Sequence, residues 1–204
     1  MEAKKLHIIQ NVGKLYLKFG IRSVTMDNVS AEFGISKKTL YQYFSDKEDL
    51  VSQVIDYFLQ NPLFDFKTEH NENAIDSLFD IRDHVAHILK FYNNNIEFEL
   101  KKVYPQLYKR VYDAKRRRIY DNTIDNITEG IKQGLYREGL NPEFIAKIQV
   151  GRMLYTLNPD YQIFEEHEVS SLDLFDKIMS YHMHAICTKK GLDYYQKQLN
   201  RIQN

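Results

Sequence analysis

Apolar residues recur every three to four positions along nearly the whole chain, the spacing that lines one face of an α-helix. Leu6, Ile9, Val12, Tyr16 and Phe19 predict a first helix, ended by Gly20. Thr25 predicts the N-cap of a short helix carrying Val29 and Phe33. Gly34 predicts its end, because glycine enters left-handed backbone at little cost. Ser36 predicts the cap of the next helix, with Leu40 and Phe44 on its inner side. Ser45-Asp46-Lys47-Glu48 reads as a capping box, in which Ser45 accepts from the third helical amide and Glu48 reaches back. The helix it opens carries Leu50, Val51, Val54, Ile55 and Phe58.

Asn61-Pro62 ends that helix, and the polar run from Lys67 to Asn73 predicts a hinge. The domains expected are therefore 1–60 and 61–204. Beyond the hinge, Ile75, Leu78, Phe79, Val85, Ile88, Leu89 and Phe91 predict a long helix that ends at Asn93-Asn94-Asn95. A shorter helix reaches Tyr104, where Pro105 interrupts. A long one follows with Leu107, Val111, Ile119, Ile124, Ile127 and Ile131 inward. Asn141-Pro142-Glu143 is a helix start: a capping side chain, a proline in the first turn, and an acid near the positive end. That helix extends to about Leu157, before Asn158-Pro159-Asp160. The last predicted helix runs from Ser171 to Lys190 and is closed by Gly191. No internal repeat and no strand pattern is evident. The fold class expected is all-α: three or four short helices with a helix-turn-helix among them, a hinge, then five or so longer helices.

Composition supports a globular chain, with 43% hydrophobic and 27% charged residues and only eight Gly and four Pro in 204 residues. Lysines and arginines equal aspartates and glutamates, so net charge alone carries no nucleic-acid signal. Their distribution does. Residues 1–47 hold eight cations against four anions, a basic end on an acidic body. The one cysteine, Cys187, excludes an intramolecular disulfide and fits a reducing compartment. No apolar run approaches the ~18–20 residues that span a bilayer, and the first residues do not read as a signal peptide. The expected location is cytoplasmic.

Two short helices meeting at Gly34, with Val29, Phe33, Ile35, Leu40 and Phe44 inward, leave Ser36, Lys37, Lys38, Thr39, Gln42 and Tyr43 on the opposite side. A major groove ~12 Å wide accepts one such helix. Lys37 and Lys38 can donate to guanine or phosphate, while Tyr43 and Lys47 lie where backbone contacts would fall. The match extends further. The amphipathic first helix, Phe19-Gly20, Thr25, Val29, Gly34-Ile35-Ser36, Thr39-Leu40-Tyr41, Tyr43-Phe44 and Lys47-Glu48-Asp49-Leu50 together resemble the N-terminal domain of the tetracycline-repressor (TetR) family of bacterial regulators. The resemblance implies phosphate contacts at Thr25, Thr39, Tyr43 and Lys47. It implies base or near-base contacts at Ser36, Lys37, Lys38 and Tyr41. Gln42 could contact adenine or remain solvated. Asp27 would repel phosphate unless it faces a cytosine amino group or caps its helix; capping is expected.

The later chain resembles the family more loosely, through Ile131 to Arg137, Leu140 to Glu143, and Phe175 to Leu192. The resemblance implies a homodimer formed through two helices, and the residues assigned to that surface are Ile148, Gly151, Leu154, Leu172, Phe175, Met179, His182 and Ile186. It also implies a small-molecule pocket, for which Phe58, Phe79, Phe91, Tyr104, Tyr108, Tyr112, Tyr120 and Tyr155 are the candidates; each could equally be core. His84 and His87 lie three apart but lack a partner with metal-binding spacing, so no metal or cofactor is expected. His184 and Cys187 also lie three apart, and a buried structural thiol is the favoured reading over a catalytic pair. Lys115 to Arg118 is a basic run in mid-helix. The function expected is a ligand-responsive regulator that binds double-stranded operator DNA, most simply a repressor, with no membrane partner and no enzymatic activity. An activator, or a helical ligand-binding protein or enzyme with an unused helix-turn-helix, are the alternatives.

Overall fold

A computed structural model describes residues 2–61, 73–91 and 95–203. Every regular element among them is helical. The helices are α1 (Glu2–Phe19), α2 (Met26–Glu32), α3 (Lys37–Tyr43), α4 (Lys47–Gln60), α5 (Ala74–Phe91), α6 (Asn95–Val103), α7 (Pro105–Lys132), α8 (Pro142–Gly151), α9 (Glu166–Val169), α10 (Leu172–Ile186) and α11 (Lys189–Gln203). The hinge predicted at Lys67 to Asn73 lies outside the described residues except for Asn73. Asn73 caps α5, its side-chain oxygen accepting the backbone N–H of Ile75 and Asp76 at 2.9 and 3.1 Å.

The chain forms two compact units. The first gathers Met1–Phe64 with Phe91–Ala114, the second Asp65–Lys90 with Lys115–Asn204. A single cut at residue 60 therefore misses the return of 91–114 to the N-terminal helices. That return has a packing cause. Leu100 of α6 and Leu107 of α7 are buried in the same core as Ile8, Val12, Leu40 and Val51, with Ile96, Tyr104, Tyr108 and Val111 packed against it. Arg110 adds an ion pair to Asp56 and a 3.3 Å hydrogen bond to Ser52.

The second unit is built around Ile75, Ile127, Tyr136, Met183 and Ile186. Tyr136 fills a gap over Gly130, where a Cβ would collide with its ring, and donates its hydroxyl to Asn126 Oδ1 at 3.1 Å. After α8 the helix loosens into a π-helical turn over Arg152–Thr156. The extra residue such a turn admits breaks the regular ladder without ending the helix.

The chain's end departs from expectation. α10 stops at Ile186, Cys187 is extended, and Tyr136 and Cys187 form an isolated antiparallel bridge. Thr188 then begins a further helix, accepting the N–H of Gly191 at 3.1 Å. Gly191 is no helix stop. It lies inside α11 against the carbonyl of Leu135, where a Cβ would collide with the oxygen. α11 lays Leu192, Tyr195 and Leu199 on the second core, and Tyr194 donates to both oxygens of Asp76 at 3.0 Å.

A candidate nucleic-acid interface

The N-terminal head rests on α1, which buries Ile8, Ile9, Val12, Gly13 and Tyr16. Leu6 and Phe19, expected in that stripe, are largely exposed, and Ile8 takes the inward position instead. Gly13 lets the ring of Phe58 on α4 close against the α1 backbone, since a Cβ there would overlap that ring. On this platform Val29 of α2, Leu40 of α3 and the extended Phe44 are each fully buried. A surface that sheds this much water fixes the two short helices, which would not hold alone at seven residues each.

Local hydrogen bonds set the turn between them. Thr25 caps α2, accepting from Asn28 N at 3.2 Å, while Asn28 Oδ1 accepts from Thr25 N at 3.0 Å. Asn28 thus completes a capping box, and Asp27 is not the cap. Gly34 adopts φ +58, the left-handed turn expected of it. The N–H of Ile35 returns to Ser30 O at 3.0 Å. Ser36 caps α3, accepting from Thr39 N at 3.0 Å. The cap of α4 is shifted by one residue from the predicted box. Asp46 accepts from Asp49 N at 2.8 Å, and Asp49 accepts in return from Ser45 N at 2.9 Å. A carboxylate outcompetes the Ser45 hydroxyl for the helix's free amides, being the stronger acceptor.

With Leu40 and Phe44 turned inward, Lys37, Lys38, Tyr41 and Gln42 are left exposed. Tyr43 and Thr39 are half-buried, Tyr43 against the head's core and Thr39 with its hydroxyl 2.9 Å from that of Ser36. Thr25 is exposed beside its cap partner. Lys47, at the start of α4, donates to Arg22 O at 3.2 Å. Its partial burial draws the ammonium's pKa down, against the opposing charge of Glu99. All nine residues read as DNA-facing therefore belong to the first unit, between the starts of α2 and α4. Sequence reasoning missed one feature: Asp27 and Lys37 form an ion pair at 2.6 Å.

The predicted pocket aromatics separate. Phe58, Tyr104 and Tyr108 pack on the first core, and Tyr112 lies beside Tyr108, ring centroids 6.1 Å apart. Phe79 packs on the second core against Tyr195. Tyr155 is exposed against Tyr161, and the side chain of Phe91 lies outside the described residues. Tyr120 lines a surface cleft of about 1060 Å³ in the second unit, with Ile124, Leu140 and the carboxylates of Asp121, Asp125, Glu138 and Glu143. Of the predicted dimer residues, Leu154, Phe175, His182 and Ile186 are buried within one chain, Ile148 is exposed, and Gly151, Leu172 and Met179 are intermediate. No group of three or more metal-binding side chains gathers among the described residues. His184 Nδ1 lies 2.8 Å from Ser180 O, and burial pushes the Cys187 thiol up to about 12, the condition of an inert structural thiol. No helix among the described residues is long and apolar enough to cross a membrane.

Residues 14–54 match the family described as bacterial regulatory proteins, tetR family. The chain is 21% identical over 174 residues to the HTH-type transcriptional regulator YvaF of Bacillus subtilis, spanning 84% of this chain and 90% of that protein. It is 48% identical over 42 residues, 21% of this chain, to the regulator Rv0472c of Mycobacterium tuberculosis, of which that stretch is 18%. A transcriptional regulator from Saccharomonospora viridis, solved in complex with choline, shares the fold with a TM-score of 0.66 at 15% identity, over 93% of this chain and all of that one. The capped α2–turn–α3 element lies within the stretch that matches bacterial regulatory proteins of the tetR family, and the likeness to HTH-type transcriptional regulators continues beyond it over most of the chain.

Proposed function

We propose that the chain acts as a homodimeric, cytoplasmic repressor that leaves its operator when a small molecule binds the second unit. The observation that carries the reading is the exposed face of α3, where Lys37, Lys38, Tyr41 and Gln42 stand on a helix whose inner side is fully buried. In this reading Ser36, Lys37, Lys38, Tyr41 and Gln42 meet base edges, and Thr25, Thr39, Tyr43 and Lys47 meet the phosphate backbone.

A two-fold operator needs two heads ~34–36 Å apart, hence two copies. Support for pairing comes from apolar side chains left in water on the second unit: Phe144, Ile148, Tyr155 and Tyr181, from 43% to 73% exposed. Together with Gly151 and Leu172 they are the residues a second copy would cover. Among the predicted pocket aromatics of the second unit, Tyr120 and Tyr155 remain outside its core, and a small molecule there would draw on them.

A ligand displaces DNA only by binding the non-operator form more tightly, and couplings of ~1–3 kcal/mol change affinity roughly 5–150-fold. The test is a screen of small molecules against the protein bound to a fluorescent duplex from upstream of its own reading frame, with sedimentation run in parallel. The expected result is a dimer at micromolar concentration and a compound that weakens DNA binding at least about fivefold. A monomer, or DNA affinity indifferent to every compound that demonstrably binds the protein, contradicts the reading.

A further inference from the structure

An acid on the DNA-facing side of a helix-turn-helix is a cost against phosphate, yet Asp27 stands there 64% exposed. It is spared from capping by Thr25 and Asn28. Its carboxylate meets the Lys37 ammonium at 2.6 Å, joining the first turn of α2 to the first residue of α3. Lys37 and Lys38, adjacent in sequence and both exposed, are therefore unlike: among the described residues Lys37 carries a carboxylate and Lys38 does not.

We propose that Asp27 is a specificity-determining residue. By neutralising Lys37, it removes one cation from the attraction of the phosphate backbone and sets an acceptor and a donor side by side for base edges. Lysine donates to guanine O6 and N7, and a carboxylate accepts from cytosine N4, so the pair matches a G·C pair. Thymine O4, guanine O6 and the purine N7 atoms are acceptors and would repel the carboxylate, which leaves cytosine N4 and adenine N6 as the donors it can meet. An exposed ion pair is too weak to lock a side chain by itself. Its effect is on charge: Asp27 cancels one cation where DNA would otherwise collect it.

This inference rests on DNA binding by the head and is tested on it. The measurements are the salt dependence of affinity for a labelled duplex of unrelated sequence, and the affinity ratio between a duplex from upstream of the reading frame and that unrelated one. Asp27→Asn should steepen the salt slope by about 0.9, the value of one added phosphate contact. It should strengthen unrelated binding several-fold and reduce the affinity ratio. Adding Lys37→Met to Asp27→Asn should return the slope to the wild-type value, and Asp27→Glu should keep both slope and ratio. A slope unchanged in Asp27→Asn overturns the proposal. So does a slope already reduced by about 0.9 in Lys37→Met alone, which would place Lys37 on phosphate in the wild type. Wild-type protein that binds neither duplex overturns the DNA-binding assignment itself, and the proposal falls with it.

Discussion

Glu99 accepts the backbone N–H of Arg22 at 3.0 Å, joining residues 77 positions apart. Lys47 takes the carbonyl of the same residue, so the α1–α2 turn is held on both sides of Arg22. Gly20, with φ +82, brings the chain close to the Glu99 carboxylate. α6 thus supplies a side chain to the base of the DNA-binding element. Glu99→Ala should cost ~1–2 kcal/mol, the range for a hydrogen bond to a charged group at a partly exposed site. Arg22 should exchange its amide hydrogen faster, while core amides such as that of Leu40 slow or quicken only with global stability. Unchanged exchange at Arg22 would show that the contact carries nothing.

Gly191 and Gly151 should respond oppositely to alanine. At Gly191 an added Cβ meets the Leu135 carbonyl, an atom fixed by backbone and unable to rotate away. Gly191→Ala should destabilise the protein by ~1–3 kcal/mol, as overpacking does. Gly151 lies in helical backbone with φ −57 and ψ −51, and a Cβ there meets nothing within 4 Å in one chain. Gly151→Ala should leave stability unchanged or raise it by up to ~1 kcal/mol. Denaturant melts of the two variants check both. A Gly191→Ala melt that matches the wild type would contradict the packing described around α11.

His182 should make the protein acid-sensitive. Burial first, and the charge of Arg152 second, bring its imidazole down from 6.5 to about 4. The folded state holds this ring neutral, whereas the unfolded chain protonates it near pH 6.5. Its contribution is therefore complete above pH 6.5 and is lost as the pH falls toward about 4. At ~1.4 kcal/mol for each pH unit across that interval, the loss approaches ~3 kcal/mol. His182→Phe should flatten the fall in melting temperature between pH 6.5 and 4, and an equally steep fall in that variant would contradict the assignment.

Local chemistry was legible in the sequence wherever one short stretch determined it. Thr25, Gly34, Ser36 and Asn141-Pro142 each act within four residues, and each occupies the role their types suggest. Ser45 misled because two acids follow it and compete for the same amides. Contacts between distant segments were not legible. Leu100 and Leu107 have the spacing of any helix face, and nothing local says that they pack against the first core rather than the second. α11 was hidden by Gly191, which reads as a stop by its type but serves a close approach to Leu135 that no local pattern encodes. The same division holds around α3: its exposed face was readable from the spacing of Leu40 and Phe44, while the Asp27–Lys37 pair depends on how α2 and α3 cross. Tyrosines 104 and 108 look like pocket lining in sequence because burial and cavity require the same side chains; packing assigns them to the core.

The central claim is that the outer face of α3 reads DNA, and fluorescence anisotropy on a duplex from upstream of the reading frame tests it most directly. Wild-type protein is compared with a Lys38→Ala, Gln42→Ala double variant, both side chains being exposed and outside either core. Circular dichroism should show the same helix content and melting point for both. The account predicts that the variant loses at least tenfold in affinity at physiological salt, with a shallower salt slope if Lys38 meets phosphate and an unchanged one if it meets a base. A folded variant that binds as tightly as the wild type would contradict it.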